Sequence, residues 1–283
     1  MEPKTTNVIL VPSDFSEVAE YAIDHAICIA KALDLSICLF HVIDKNTKAM
    51  LKKENKGLEW INTKLQSVAD EIKSKNNIEV SILAKEGTIF TTIAEVAKEV
   101  AARLVVMGTH GKIGVQHLVG SYAFKVIASL NIPIIVVQQK MANDGYKNIL
   151  ITLDSTQESK QKVKWAEFIA KIFHSTVHIL TTKESDEILA HKVKGNLAQV
   201  KKMFDTNGIK YTETLAKTGS GFTKQVLNFL NTVNADLVLL LTTSDALPAP
   251  IVGTKEEHVL FNASKIPVMC INSRDFNIKI IGM

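Results

Sequence analysis

VVMGTHGKIG at residues 105–114, with VGSY at residues 119–122, is the stretch of this sequence that decides its fold. A short apolar run ends there in a glycine-rich loop, and the pair Gly120-Ser121 opens an amphipathic segment over residues 123–130. Glycines let a backbone approach an anion closely, and the first N–H groups of a helix point towards it. The stretch therefore predicts a strand, a phosphate-binding loop and a helix, in that order.

An alternation of strands and helices runs through the first half of the chain. Apolar strands are predicted over residues 7–11, 36–42, 78–83, 104–107 and 132–138. Helices are predicted between them, over residues 18–33, 54–73, 91–101 and 123–130. Near-continuous apolar strands separated by helices indicate a parallel sheet covered on both faces. Right-handed crossovers then predict a doubly wound α/β domain.

The second half repeats this pattern. Strands are predicted over residues 149–153, 176–180, 209–215, 237–241 and 267–271, and helices over residues 162–173, 187–204 and 225–233. Asp154 follows Asp14 by 140 residues and Pro267 follows Pro133 by 134, so an internal duplication is the economical explanation. We predict two domains, 1–140 and 146–283, forming an intramolecular pseudo-twofold dimer. Its fifth strands would pair antiparallel, because an unpaired apolar edge is a liability.

Composition and charge limit the classes of binding partner that this chain is expected to have. The net charge of +4 is spread evenly, and only Arg103 and Arg274 are arginines among 33 basic residues, so nucleic acid is not an expected partner. The N-terminus lacks the pattern of a signal peptide, and the apolar runs are too short for a membrane span, so we expect a cytoplasmic protein with no membrane partner. The three cysteines, Cys28, Cys38 and Cys270, are expected to be free thiols.

Three motifs carry a resemblance to a known family. VPSDFSE at residues 11–17, FHV at 40–42 and MGTHG at 107–111 with Gly120-Ser121 resemble the universal stress protein family, and the repeat makes the chain similar to its tandem two-domain members. The resemblance implies two five-stranded sheets of order 3-2-1-4-5, a Rossmann-like arrangement like that of the adenine nucleotide alpha hydrolases. A nucleotide-binding subgroup carries Gly-x2-Gly-x9-Gly-Ser/Thr. Here eight residues separate Gly111 from Gly120, so the loop is one residue tighter.

That strand order predicts where a ligand binds. The chain direction reverses between strands 1 and 4, and the loops after these strands line a crevice. The loop after strand 1 has no glycine, which disfavours NAD and FAD. The resemblance implies an adenine nucleotide (ATP, ADP or AMP, with Mg²⁺ as an optional companion), with the Asp14 carboxylate on the nucleoside and the Val42 backbone near the adenine. The predicted site residues are Pro12, Ser13, Asp14, Val42, Met107, Gly108, Thr109, His110, Gly111, Gly120, Ser121 and Tyr122.

Each of these residues also has a plainer structural interpretation. Asp14 with Glu17 resembles a capping box, Ser16 is another plausible helix cap, and Ser121 could cap the following helix. Val42 could belong to the hydrophobic core, and the glycines could simply allow the turns of a loop without binding a ligand.

The histidines give no metal site. His174 and His178 lie in a strand-like pattern and do not share a helical face, and His41 is expected to pack at a strand end. No metal site and no catalytic residue are predicted.

Three functions remain open. The first is a nucleotide-binding regulatory protein of the stress response with an unknown protein partner. The second is a slow ATP hydrolase or phosphotransferase, and the third an interaction scaffold without nucleotide. A homodimer of the tandem chain also stays open.

The second half is expected to have lost the nucleotide site. Its loop over residues 242–252 has no glycine before Gly253, while Pro248 and Pro250 lack N–H donors and Asp245 would repel phosphate. Asp154 after the first strand and Gly253-Thr254 at the corresponding helix start are kept, so the framework of the crevice is expected to remain. We therefore expect about one nucleotide per chain, because the loop of the second half cannot supply the run of backbone N–H groups that binds phosphate.

Overall fold

The computed structural model describes residues 7–109, 119–139, 144–217, 221–242 and 255–272. The elements of the first half are β1 Val8–Pro12, α1 Glu17–Leu33, β2 Ser36–Ile43, α2 Lys45–Lys53, α3 Glu59–Asn76, β3 Val80–Glu86, α4 Ile89–Glu99, β4 Ala102–Gly108, α5 Val119–Ser129 and β5 Ile134–Val137. Those of the second half are β6 Asn148–Leu153, α6 Val163–Phe173, β7 Thr176–Thr181, α7 Glu187–Thr206, β8 Lys210–Leu215, α8 Phe222–Thr232, β9 Leu237–Thr242, α9 Lys255–Leu260 and β10 Val268–Asn272.

All ten of these strands join one sheet, in the order β3-β2-β1-β4-β5-β10-β9-β6-β7-β8. Neighbours within each half are parallel, so each half has the predicted order 3-2-1-4-5. At the centre β5 and β10 pair antiparallel, with Ile135 opposite Met269. The predicted fold class and the antiparallel pairing of the fifth strands are confirmed. The domain limits 1–140 and 146–283 stay a prediction.

The strands alternate their side chains between two apolar layers, as period-two geometry requires. Ile9 and Val11 face one layer, where α1, α3, α6 and α7 pack, whereas Val8 and Leu10 face the other, where α4, α5 and α8 pack. Both layers contain residues from both halves of the chain. The two halves therefore share their hydrophobic core across the central β5–β10 pair.

Side chains at the ends of the two central strands tie the halves together. Gln138 donates its side-chain N–H to the carbonyl of Leu260 (3.0 Å), and Asn272 donates to the carbonyl of Leu130 (3.2 Å). Each bond joins the residue at or just after a fifth strand to a helix end of the other half. The pair shows the pseudo-twofold relation at the level of single hydrogen bonds.

The predicted helix over residues 54–73 starts five residues too early. Residues 54–58 separate α3 from α2, a helix that was not predicted. Asp44 caps α2, and Asn55 adopts a left-handed conformation (φ 53°) that ends it. The N–H of Lys56 bonds back to the carbonyl of Leu51, as in a Schellman termination.

Helix α5 begins at Val119, so Gly120-Ser121 lies inside its first turn and does not precede it. In the described ranges, every helix is too short or too polar to cross a membrane.

Candidate nucleotide-binding site

The first half contains a gap in its sheet at the carboxyl end, between β1 and β4. Pairing of these two strands ends where Leu10 lies opposite Val105. Beyond that level β1 stays paired with β2 as far as Pro12, and β4 with β5 as far as Gly108. The two strands therefore diverge at the point where the strand order reverses, the position at which doubly wound sheets bind ligands.

The loop after β1 forms a tight turn in which Asp14 and Ser16 have separate roles. Ser16 is the N-cap of α1 and accepts a hydrogen bond from the N–H of Ala19 (3.3 Å). Asp14 is not the cap: one of its oxygens accepts from the N–H of Ser16 (3.0 Å), and the residue is exposed. The capping-box interpretation of Asp14 is therefore wrong. Its second carboxylate oxygen has no hydrogen bond within the described ranges.

His41 and Phe15 hold this turn in place. The buried His41 bonds through Nδ1 to the carbonyl of Ser13 (2.7 Å), and Phe15 stacks on its ring at 4.9 Å between centroids. Phe15 has a left-handed backbone (φ 61°), which a non-glycine residue adopts only where its surroundings favour it. Burial lowers the pKa of His41 below its usual 6.5, although the hydrogen bond to the Ser13 carbonyl partly opposes this shift. Because a carbonyl can only accept, Nδ1 of the neutral ring carries the proton and donates. The prediction that it packs at a strand end is confirmed.

Val42 lies at the end of β2, beside this turn, and is half-buried. Its carbonyl accepts from the N–H of Asp44 (3.1 Å) and lies 3.2 Å from the hydroxyl of Thr47. That hydroxyl also lies 3.1 Å from Nε2 of His41, the acceptor in the neutral ring. When Thr47 donates to His41, one lone pair of the Val42 carbonyl is left for a ligand. Thr47 was not among the predicted site residues; its place three residues after Asp44, the N-cap of α2, is the signal in the sequence that points to it.

Gly108 closes the floor of the gap. A Cβ atom at this position would lie 2.8 Å from both Cγ1 and the carbonyl oxygen of Val18. Only glycine allows β4 to pass so close to the first turn of α1. The N–H of the next residue, Thr109, bonds to the carbonyl of Val137 (3.1 Å), which continues the β4–β5 ladder. Met107 lies on β4, half-buried.

The rest of the predicted phosphate loop falls outside the described ranges. His110 and Gly111 are not described, and for Gly120, Ser121 and Tyr122 only the helical backbone is. The charges of the two helix starts differ: the first turn of α1 carries Glu17 and Glu20, whereas that of α5 carries no acidic residue. An anion is therefore favoured at α5 over α1.

The second half repeats the turn after its first strand. An oxygen of Asp154 accepts from the N–H of Thr156 (2.8 Å), and the Thr156 hydroxyl accepts from the N–H of Ser159 (3.3 Å). The loop that would carry the second glycine motif, residues 243–254, lies outside the described ranges.

Within the described ranges, no three His, Cys, Asp or Glu side chains come close enough to hold a metal ion. His174 ends α6 in a left-handed conformation and His178 lies on β7, so they share no helix, as predicted.

Comparison with known proteins identifies the family. The model of the universal stress protein family matches residues 5–138. One universal stress protein of Methanocaldococcus jannaschii is 32% identical over 139 residues, 46% of this chain and 81% of that protein. Another from the same organism is 29% identical over 156 residues, 47% of this chain and 94% of that protein. The crystal structure of a universal stress protein from Archaeoglobus fulgidus has a TM-score of 0.76 at 17% identity, covering 94% of this chain and 96% of its own. The chain belongs to the universal stress protein family.

Proposed function

We propose that the first half binds an adenine nucleotide in the gap between β1 and β4, and that a protein partner distinguishes the nucleotide-bound form from the free form. The observation that carries the proposal is the divergence of these strands beyond Leu10 and Val105, with the Asp14 turn on one side and Gly108 on the other. The motifs shared with the nucleotide-binding subgroup of the family support the same ligand.

Asp14 would contact the ribose. One of its oxygens is used by the turn, and the other makes no hydrogen bond within the described ranges, so it can accept from ribose hydroxyls. The turn needs no rearrangement to do this, because His41 and Phe15 already fix it. The adenine would lie near the Val42 carbonyl, whose second lone pair can accept from the exocyclic amino group.

The phosphates would extend towards the start of α5. Glu17 and Glu20 repel them from α1, whereas the first turn of α5 offers backbone N–H groups without an acidic neighbour. Gly111, Gly120 and Ser121 would complete the phosphate contacts. Mg²⁺ would come with the nucleotide, held by its phosphates.

The proposed role is regulatory binding. ATP hydrolysis requires a group that positions water and groups that neutralise the γ-phosphate charge, and the sequence of the loop supplies only Lys112. A binding module requires only that the nucleotide favours one conformation or one partner.

Calorimetric titration of the full-length chain with ATP tests the proposal. Asp14→Asn should weaken ATP binding about tenfold or more, as expected for the loss of hydrogen bonds to a charged group. Asp154→Asn is the matched control, because Asp154 makes the same turn in the second half. Asp154→Asn should leave the affinity for ATP unchanged. The titration should give about one ATP per chain, because the second half lacks the run of backbone N–H groups that binds phosphate.

A second variant tests the phosphate side. Gly120→Val should abolish ATP binding while leaving the circular dichroism spectrum unchanged, because a side chain there would keep the backbone from approaching phosphate. Equal affinity in Asp14→Asn and wild type, or two equivalent ATP sites per chain, would contradict the proposal.

A further inference from the structure

Lys162 is a buried lysine that the nucleotide site does not use. It directly precedes α6, and only 4% of its surface is exposed. Its Nζ donates one hydrogen bond, to the hydroxyl of Thr152 (2.9 Å), and among the described residues no carboxylate lies within ion-pair distance. An ammonium has three donors, and burying its charge without a counter-ion is costly. Burial lowers the pKa of Lys162 to about 8, and Asp154 partly opposes this.

The internal repeat shows which residues of the first half occupy the positions equivalent to Lys162 and its neighbours. The pair Pro12–Phe40 on β1 and β2 recurs as Thr152–Leu180 on β6 and β7, with an offset of 140 residues. The same offset relates the left-handed helix ends Asp34 and His174. It places Lys162 at the position of the buried Ala22.

By the same offset, Thr152 replaces Pro12 and Thr182 replaces Val42. Two apolar positions of the nucleotide site and one of its supporting helix therefore carry polar groups in the second half.

Lys162 lies beside a gap like the one in the first half. Pairing of β6 with β9 ends where Ile151 lies opposite Leu239. Beyond it β6 stays paired with β7 through Leu153, and β9 with β10 through Thr242. Thr152 therefore lies just past the level at which β6 and β9 separate. Its hydrogen bond to Lys162 brings the ammonium to that gap.

Thr182 supplies a second unsatisfied group at this end of the sheet. It directly follows β7, and its N–H bonds to the carbonyl of Leu153, the residue after Thr152 (2.9 Å). The hydroxyl oxygen of Thr182 is buried and has no hydrogen-bond partner among the described residues. A buried polar atom without a partner in a native protein requires an explanation, such as a bound molecule.

We propose that the gap between β6 and β9 binds the carboxylate group of a small organic acid, with Lys162 as its counter-ion and Thr182 as a hydrogen-bond donor. A single negative charge fits better than a phosphate dianion, because Lys162 is the one buried cation here among the described residues and Asp154 adds negative charge nearby. The two halves then bind different ligands in equivalent gaps, a nucleotide in the first and an organic acid in the second.

The test uses acetate as the probe and inorganic phosphate as the comparison, both titrated into the full-length chain at constant ionic strength set with sodium chloride. The NMR signals of lysines labelled at the ε-carbon report binding, and the Lys162 signal is assigned by its absence in Lys162→Met. Acetate should shift this signal saturably and raise the thermal unfolding midpoint. Thr182→Val should weaken the binding about fivefold, the value of one hydrogen bond of about 1 kcal/mol.

Two controls separate this site from a structural role of the lysine. Lys162→Met should fold, since replacing a buried charge by an apolar side chain of similar volume is often neutral or stabilising. It should lose the acetate-dependent rise in midpoint, whereas Lys164→Met, on the exposed face of α6, should keep it. ATP affinity should be the same in all these variants.

Three results would overturn the proposal. The first is no saturable shift of the Lys162 signal with acetate. The second is an equal rise of the unfolding midpoint in Lys162→Met and wild type. The third is binding of phosphate but not acetate.

Discussion

Gly108 combines a packing role with its place beside the gap between β1 and β4. A Cβ atom would meet the backbone of Val18 at 2.8 Å, so the clash cannot be relieved by turning a side chain. Gly108→Ala should lower the free energy of unfolding by about 1–3 kcal/mol, as overpacking does. Gly195→Ala in α7 is the matched control, because a Cβ there meets nothing within 4 Å. It should stabilise by up to about 1 kcal/mol. Urea unfolding measures both, and equal stability of the two variants would refute the packing argument.

His25 is a second buried residue with a testable consequence. It is 1% exposed, its Nδ1 lies 2.9 Å from the Tyr146 hydroxyl, and its Nε2 lies 3.4 Å from the carbonyl of Gln139. Burial lowers its pKa to about 4, while the Gln139 carbonyl partly opposes this. Since the folded-state pKa lies below the unfolded value of 6.5, the unfolded chain binds more protons between these values.

Stability from His25 is therefore complete above pH 6.5 and decreases as the pH falls towards 4, by at most about 3 kcal/mol. Urea unfolding of wild type and His25→Gln over this range measures the effect. The variant should show a shallower loss of stability, whereas His191→Gln, at an exposed position, should follow wild type. Parallel pH profiles for wild type and His25→Gln would show that His25 is not buried in its neutral form.

At the scale of single residues, the sequence motifs predicted residues beside the gap between β1 and β4 but not the contacts that shape it. Asp14 and Gly108 belong to the motifs that carry the family resemblance, and they lie just after β1 and at the end of β4. The stacking of Phe15 on His41 and the burial of Lys162 depend on which strands separate and which helix lies above them. A lysine at the start of a helix is ordinarily solvated, so its pattern in the sequence is that of any surface lysine.

Helix α1 offers a test that separates capping from ligand binding. Ser16 caps the helix, whereas Asp14 supports the turn before it. Ser16→Ala should lower the free energy of unfolding by about 1 kcal/mol, the usual value of a lost cap, without changing ATP affinity. Chemical denaturation and calorimetry give the two quantities. A loss of ATP affinity in Ser16→Ala as large as in Asp14→Asn would show that the turn acts as one unit.

At the scale of elements, continuous apolar runs were sufficient to place the strands. The runs at residues 104–107 and 237–241 became β4 and β9 within one or two residues. Helices with polar sequences were harder to predict, since α2 was not predicted and the predicted start of α3, residue 54, lies five residues before Glu59. Their break depends on the left-handed Asn55, a conformation that propensity alone does not predict.

At the scale of the whole molecule, the two halves share one sheet and two apolar layers. The central pair of strands, β5 and β10, is antiparallel and buried. Each layer draws side chains from both halves, so neither half can lose its structure without exposing part of the other. We therefore expect the chain to unfold in one cooperative transition, despite its length and its internal repeat.

The native cysteines test this cooperativity without added labels. Cys38 lies on β2, in the first half, and Cys270 on β10, in the second, and both are buried, whereas Cys28 is partly exposed. Burial raises the pKa of both Cys38 and Cys270, so each thiol should react only after its strand opens. In a Cys28→Ser background, both thiols should become reactive at the same urea concentration, because opening either strand exposes the shared layer in which both pack. Single variants Cys38→Ser and Cys270→Ser assign each signal. Reaction of Cys270 at a lower urea concentration than Cys38 would mean that the second half opens first and that the β5–β10 pair joins two independent cores.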